Sequence, residues 1–118
     1  MLEGAAEFAE RREALNHLLL EHANLPLKRF FALDHDVYET GVLPKRTKEL
    51  LGLVASTVLR CNDCISYHLV AATQAGVSNE EIMEALEIAL IVGGSITIPH
   101  VRHAAAFLES IREPREDS

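Results

Sequence analysis

Residues 44–76 read PKRTKELLGLVASTVLRCNDCISYHLVAATQAG, and this stretch decides the fold. Pro44 suits the opening of a helix, where its missing N–H costs little. Apolar side chains then recur at Leu50, Leu51, Leu53, Val54, Val58 and Leu59. They cover more than one face, so a largely buried helix running to about Leu59 is expected. A second helix is expected to begin around Cys61 and Cys64 and to run to Gly76. Nothing here alternates with the period of two that marks a strand, so the stretch reads as two successive helices, the second beginning around the cysteines.

Outward from this stretch the pattern stays helical. A first helix over residues 3–21 brings Phe8, Leu15, Leu18 and Leu19 onto one face. Asn24-Leu25-Pro26 breaks it. Pro26 opens a second helix lined by Leu27, Phe30, Phe31 and Tyr38, with Gly41 as its expected cap. On the other side, Ser78-Asn79-Glu80-Glu81 is a capping box. The helix it starts carries Ile82, Leu86, Ala89 and Leu90 and stops at Gly93-Gly94. A last helix is expected from Ser95–Thr97, with Val101, Ala104, Ala105, Leu108 and Ile111 facing inward. The charged tail from Glu113 to Ser118 is expected to fray. The expectation is therefore an all-α chain of about six helices, one domain over 1–118, with its core at about 43–106 and N-terminal helices over 3–41.

Composition narrows the function. A chain of 118 residues can bury a core without staples. Its apolar share is 48% with no Trp, so Leu, Ile, Val and Ala must build that core. The formal charge of −7 lacks the phosphate-neutralising cations of nucleic-acid binders and disfavours anionic membranes. No apolar run is long enough for a membrane span or a signal peptide, so a cytoplasmic protein is expected. In that compartment two cysteines are seldom a passive staple. They point to catalysis, redox sensing or metal binding.

Glu49 is followed twelve residues later by Cys61-Asn62-Asp63-Cys64 and then Ile65-Ser66-Tyr67-His68. At a helix start, free backbone N–H groups favour a thiolate. Cys64 and His68, four apart, share a helix face, so His68 can exchange a proton with Cys64. Cys61 and Cys64 can close a disulfide if Cys61 leaves helical geometry at the cap. Two other readings stay open. The pair can be two small buried apolar side chains. Alternatively, Cys61, Cys64 and His68 can hold zinc in a non-catalytic or redox-sensing module, with His100 or His103 as a fourth ligand. Otherwise His100 and His103 cap or pack, while His17, His22 and His35 read as solvated. Glu49, beside Lys45 and Lys48, reads locally as a surface ion pair.

Lys48-Glu49-Leu50, Cys61-x-x-Cys64-Ile65-x-x-His68, Ala71, Gly76, Glu80-Glu81-Ile82, Glu84-Ala85-Leu86 and Gly93-Gly94 together resemble the carboxymuconolactone decarboxylase superfamily. Within it they resemble the AhpD alkylhydroperoxidase branch, over roughly Leu43 to Ala106. The resemblance implies an all-α fold with a repeated helical hairpin, assembled as a trimer or hexamer. It implies a cofactor-free thiol peroxidase or disulfide reductase. Cys64 would meet the peroxide, Cys61 would resolve its sulfenic acid to a disulfide, and His68 and Glu49 would relay protons. An external dithiol or thiol protein would return the electrons. One position departs: Asp63 stands where AhpD proteins carry a His. A carboxylate is a poor proton carrier at neutral pH, and its charge beside Cys64 is expected to oppose the thiolate and weaken peroxide reduction. Lactone decarboxylation, the superfamily's other chemistry, does not need the cysteines, which argue against it here.

Overall fold

Local signals set most helix boundaries. The computed structural model describes residues 2–112, and the expected fraying of the tail lies outside the described residues. The chain forms α1 (Ala5–His22), α2 (Leu25–Tyr38), α3 (Lys45–Val58), α4 (Asn62–Gln74), α5 (Asn79–Gly93) and, after a 3-10 turn at Ser95–Thr97, α6 (Ile98–Arg112). The architecture is all-α, with no strand among the described residues. The capping box forms with both halves in place. Glu81 N–H donates to Ser78 Oγ at 3.1 Å, and Ser78 N–H donates to Glu81 Oε1 at 2.9 Å. The prolines sit one position away from expectation: Pro26 is the second residue of α2, and Pro44 caps α3 rather than beginning it. Helix α2 ends at Tyr38 instead of reaching Gly41.

The α3–α4 turn is the most constrained connection. Arg60 N–H donates to Thr57 O and Cys61 N–H to Ser56 O, each at 3.0 Å. This is a Schellman closure, which needs a left-handed residue between the two helices. That residue is Arg60, with φ of 63°. The same closure ends α4, where Gly76 takes φ of 88° at no steric cost. Arg60 has no such licence. Its conformation delivers Cys61 in extended geometry (φ −106°, ψ 100°) as the N-cap of α4.

Around that turn α3 packs on α4 and α5, and α4 packs on α6. Leu53, Ile65, Leu69, Ala72, Ile82, Leu86 and Ala104 are the sealed centre. Two expectations about buried faces are corrected. In α6 it is Phe107, not Ala105, that joins the core, since Ala105 is exposed. In α3, Leu53 is sealed while Leu51 and Leu59 are exposed, and the buried face includes Glu49, Gly52, Ser56 and Thr57. Helix α1 is anchored at its N-terminal end. There Phe8 meets Phe107 edge to face, with centroids 5.6 Å apart, and Ala5 N–H donates to Ser110 Oγ at 2.9 Å. Beyond Phe8 the expected apolar face of α1 is not covered within the chain: Leu15, Leu18 and Leu19 are exposed. Helix α2 buries no residue fully, and Phe30 is 65% exposed. The Cα radius of gyration of 14.9 Å exceeds the roughly 13.5 Å expected for a compact chain of this length.

Relieving the left-handed strain at Arg60 should stabilise the protein. Arg60→Gly is expected to gain about 0.5–1 kcal/mol, once glycine's larger unfolded-state entropy offsets part of the relief. Thermal unfolding should show a midpoint higher by about 2–4 °C.

Candidate active site

Cys61 and Cys64 are joined by a disulfide, with Cα atoms 5.3 Å apart. The extended backbone at Cys61 makes this span available without distorting α4. Cys64 N–H, one of the free donors of the first turn, points to Cys61 Sγ at 3.3 Å. The two sulfurs are therefore not equivalent. Cys61 caps the helix and is half-buried, while Cys64 is exposed and lines an open pocket of about 330 Å³. His68 and Tyr67 of α4 line the same pocket, with Phe8, Arg11 and Arg12 of α1 and Asp34 of α2 among its other walls.

His68 is held on three sides. Its Nδ1 is 2.9 Å from Glu49 Oε1, in the interior between α3 and α4. Its Nε2 lies 3.4 Å from the Tyr38 hydroxyl. Its ring lies against the α3 backbone at Gly52, where a Cβ would sit 2.6 Å from His68 Cε1 and 2.7 Å from Tyr38 Oη. No larger residue leaves room for both rings. Burial, then the nearby Glu49, raises the Tyr38 phenol above its ordinary pKa, so it stays a neutral hydroxyl beside His68.

Glu49 forms the expected ion pair with Lys45, but its carboxylate is not at the surface. It is 1% exposed. Lys45 Nζ stands 3.4 Å from its Oε2, in contact but without hydrogen-bond geometry. Lys48 turns away and donates to the carbonyls of Val37 and Glu39, at 2.7 Å each. It thereby neutralises the C-terminal end of α2 and holds Tyr38 in place.

Helix α6 braces the cysteine turn from the other side. His100 Nδ1 is 2.8 Å from Asn62 Oδ1, and His103 Nε2 is 2.8 Å from Ser66 Oγ. His103 also stacks on Phe107. These rings pack and brace, the plainer of the two roles open to them from sequence. Among the described residues, no three His, Cys, Asp or Glu side chains converge as a metal site. His17, His22 and His35 are exposed, as expected.

The structure thus brings Glu49, Cys61, Cys64 and His68 together, and it adds three residues that sequence reasoning missed. Gly52 and Tyr38 carry no local signal, because their roles arise only when α2, α3 and α4 meet. The third is Arg11. It donates from Nη2 and Nη1 to the two Asp63 oxygens, at 2.9 and 3.3 Å, and from Nε and Nη2 to Glu3, at 2.9 and 3.0 Å. Asp63 is therefore not a lone negative charge beside Cys64. Fifty-two positions separate the two partners, too far for any helix-spacing rule to link them.

The carboxymuconolactone decarboxylase family matches over residues 25–107. The chain belongs to this family. A Thermotoga maritima protein known from two crystal structures is similar to this member over nearly its whole length. One of them is 58% identical, covering 95% of this chain and 98% of that one, with a TM-score of 0.89. The other is 60% identical over 91% of each chain, with a TM-score of 0.86, and is described as a family protein with a suggested part in an antioxidative response. A Legionella pneumophila family protein, solved in its apo form, is 27% identical over 92% of this chain and 87% of that one, with a TM-score of 0.61. An uncharacterized protein of the cox locus of Paracoccus denitrificans is 37% identical over 70% of this chain and 74% of its own. The family match includes Tyr38, Glu49, both cysteines and His68, whereas Arg11 lies before it. No helix among the described residues is long and apolar enough to cross a membrane.

The α6 brace has a pH signature. Burial lowers the His103 pKa below its ordinary 6.5, opposed in part by a hydrogen bond with the Asn62 backbone. The folded state therefore prefers His103 neutral. That contribution is complete above about pH 6.5 and is lost as pH falls toward the depressed folded value. The stability of the parent should decline between about pH 7 and pH 5 more than that of His103→Gln, as measured by denaturant unfolding across that range.

Proposed function

We propose that this family member is a CxxC-dependent thiol peroxidase of the alkylhydroperoxidase-like kind, able also to act as a disulfide reductase. The observation that carries this reading is the position of Cys64. It is exposed in the same pocket as His68, which is backed by the buried Glu49, and is already bonded to Cys61 as the oxidised product would be.

In the reduced protein, His68 takes the Cys64 proton and Glu49 orients and supports the charged ring. The thiolate attacks one peroxide oxygen, the O–O bond breaks, and a proton passes to the departing oxygen, leaving an alcohol and Cys64 sulfenic acid. The Cys61 thiol then attacks the Cys64 sulfur. The sulfenic oxygen leaves as water with the Cys61 proton, and the disulfide closes. An external dithiol or thiol protein resets the site by attacking the exposed Cys64 sulfur, with Cys61 leaving as thiolate and the donor ending as its own disulfide. Cys61 suits that departure, because it occupies the N-cap and already accepts the Cys64 N–H. No bound cofactor is required by these steps.

Cys64→Ser should abolish peroxide consumption, whereas Cys61→Ser should be oxidised once and stop as a trappable sulfenic acid. Folded His68→Ala should be oxidised roughly 10²-fold more slowly. Stopped-flow oxidation with one equivalent of hydroperoxide, followed by mass spectrometry, reads all three. Sulfenic acid on Cys61 in an active Cys64→Ser protein would reverse the roles, and an unchanged rate in His68→Ala would remove the relay.

We further propose a homo-oligomer, a trimer or a hexamer made from two trimers. Leu51 and Leu59 of α3, Ile88, Ile91 and Val92 of α5, and the outer faces of α1 and α2 are all exposed in the single chain. So much uncovered apolar surface is characteristic of an interface, and closed symmetry covers it without an open end. Light scattering should give roughly three or six times the 13.0 kDa of one chain; a monomer mass at micromolar concentration would refute the assembly.

A further inference from the structure

We propose that Arg11 is a positioning residue for the reactive thiol: by clamping Asp63 it keeps that carboxylate's charge from opposing the Cys64 thiolate. This rests on Cys64 being the reacting sulfur, as proposed above, but not on the substrate being a peroxide.

Asp63 and Cys64 are successive residues in the first turn of α4. Both a carboxylate and a thiolate draw on the partial positive charge of the free N–H groups there, so an uncompensated Asp63 competes directly with Cys64 ionisation. Arg11 donates to both Asp63 oxygens through Nη1 and Nη2, and to both Glu3 oxygens through Nε and the same Nη2, so the guanidinium is bound by two carboxylates at once. Arg11 also lines the Cys64 pocket. The remaining charged or titratable groups facing that pocket do not duplicate this contact. Arg12 lies over the Tyr67 ring, 4.3 Å from its centroid. His68 is engaged by Glu49 and Tyr38. Outside the pocket, His103 of α6 is near enough to feel the Asp63 charge, but its ring is bonded to Ser66 and burial favours its neutral form. Asp34 of α2 adds a second negative charge to the pocket wall, which increases the need for a cation beside the sulfur.

The contact is formed by side chains that are 38% and 65% exposed. As a strap between α1 and α4 such a pair contributes little stability. Its electrostatic effect on a neighbouring sulfur need not be small, but it must be screened by salt.

The test uses Cys61→Ser, in which Cys64 is the only thiol, and follows its alkylation by iodoacetamide across pH. Arg11→Gln in that background should raise the apparent thiol pKa by about 0.5–1, and Asp63→Asn should lower it by a similar amount, as expected for unit charges several ångströms away near a surface. Arg11→Lys should restore most of the parent value. In 1 M salt, where the screening length is about 3 Å, the differences should shrink. A folded Arg11→Gln with an unchanged thiol pKa, or an Asp63→Asn that raises it, would overturn the proposal and leave Arg11 a surface strap. If Arg11→Gln does not fold, Arg11→Met removes the same charge while keeping the side-chain stem, and it keeps the test decisive. Because no peroxide is used, failure of peroxide turnover with these shifts intact would count against the peroxidase reading alone.

Discussion

The hydrogen bond between His68 and Glu49 depends on how closely α3 and α4 approach, and much of the site depends on that bond. A buried carboxylate is costly unless it is paired and hydrogen-bonded. Here the pairing is possible because Gly52 leaves the α3 backbone bare where the His68 ring must lie. The close approach in turn requires a tight connection between the two helices. Arg60 supplies it by taking a left-handed conformation that most side chains avoid. The turn that brings the helices together is the same one that places Cys61 in extended geometry at the N-cap. The strain at Arg60, the space at Gly52 and the reactive geometry of the cysteines are therefore linked. Strain held beside a functional site is a common arrangement, sustained because the surrounding packing over-determines it.

Features carried by short-range rules were legible in the sequence. The Ser78–Glu81 capping box, the Cys61 cap position and the shared face of Cys64 and His68 each involve residues within four of one another. Short-range rules were incomplete for Glu49. The i,i+4 pair with Lys45 does form, yet the carboxylate is buried and bonded to His68, and only family resemblance pointed beyond the local reading. Arg11, Gly52 and Tyr38 were illegible for a related reason. Each matters through a partner at least sixteen positions away, and no periodicity records such a meeting. Asp63 was weighed without the Arg11 counter-charge that the fold brings to it.

The outer helices show a different limit. Leu15, Leu18 and Leu19 do form an apolar face on α1, as the spacing predicts. What the spacing could not say is what covers it. Within one chain, the centre is already filled by Leu53, Ile65, Leu69, Ile82 and Leu86, so α1 buries Phe8 in the core and packs Ala5 against its edge. Helix α2 is attached still more lightly, by the Lys48 bonds to its last carbonyls and by the Tyr38 contact with His68. An amphipathic pattern reports that a face seeks apolar cover, but it is silent on whether that cover lies in the same chain.

That light attachment bears on the chemistry, because α1 and α2 form the outer wall of the pocket over Cys64. One half of the site, comprising Glu49, Gly52, His68 and the cysteine turn, belongs to the packed α3–α6 unit and holds the His68–Glu49 hydrogen bond. The other half, comprising Arg11, Arg12, Asp34 and Tyr38, is carried by helices with few buried contacts of their own. In the thiol cycle proposed above, the fixed base would preserve the geometry of proton transfer. The wall over the sulfur depends on side chains that reach across from α1 and α2, such as Arg11 to Asp63 and Tyr38 to His68. The site is therefore assembled from both parts of the chain, and a change in how α1 or α2 is covered would reach the sulfur without disturbing Glu49 or His68.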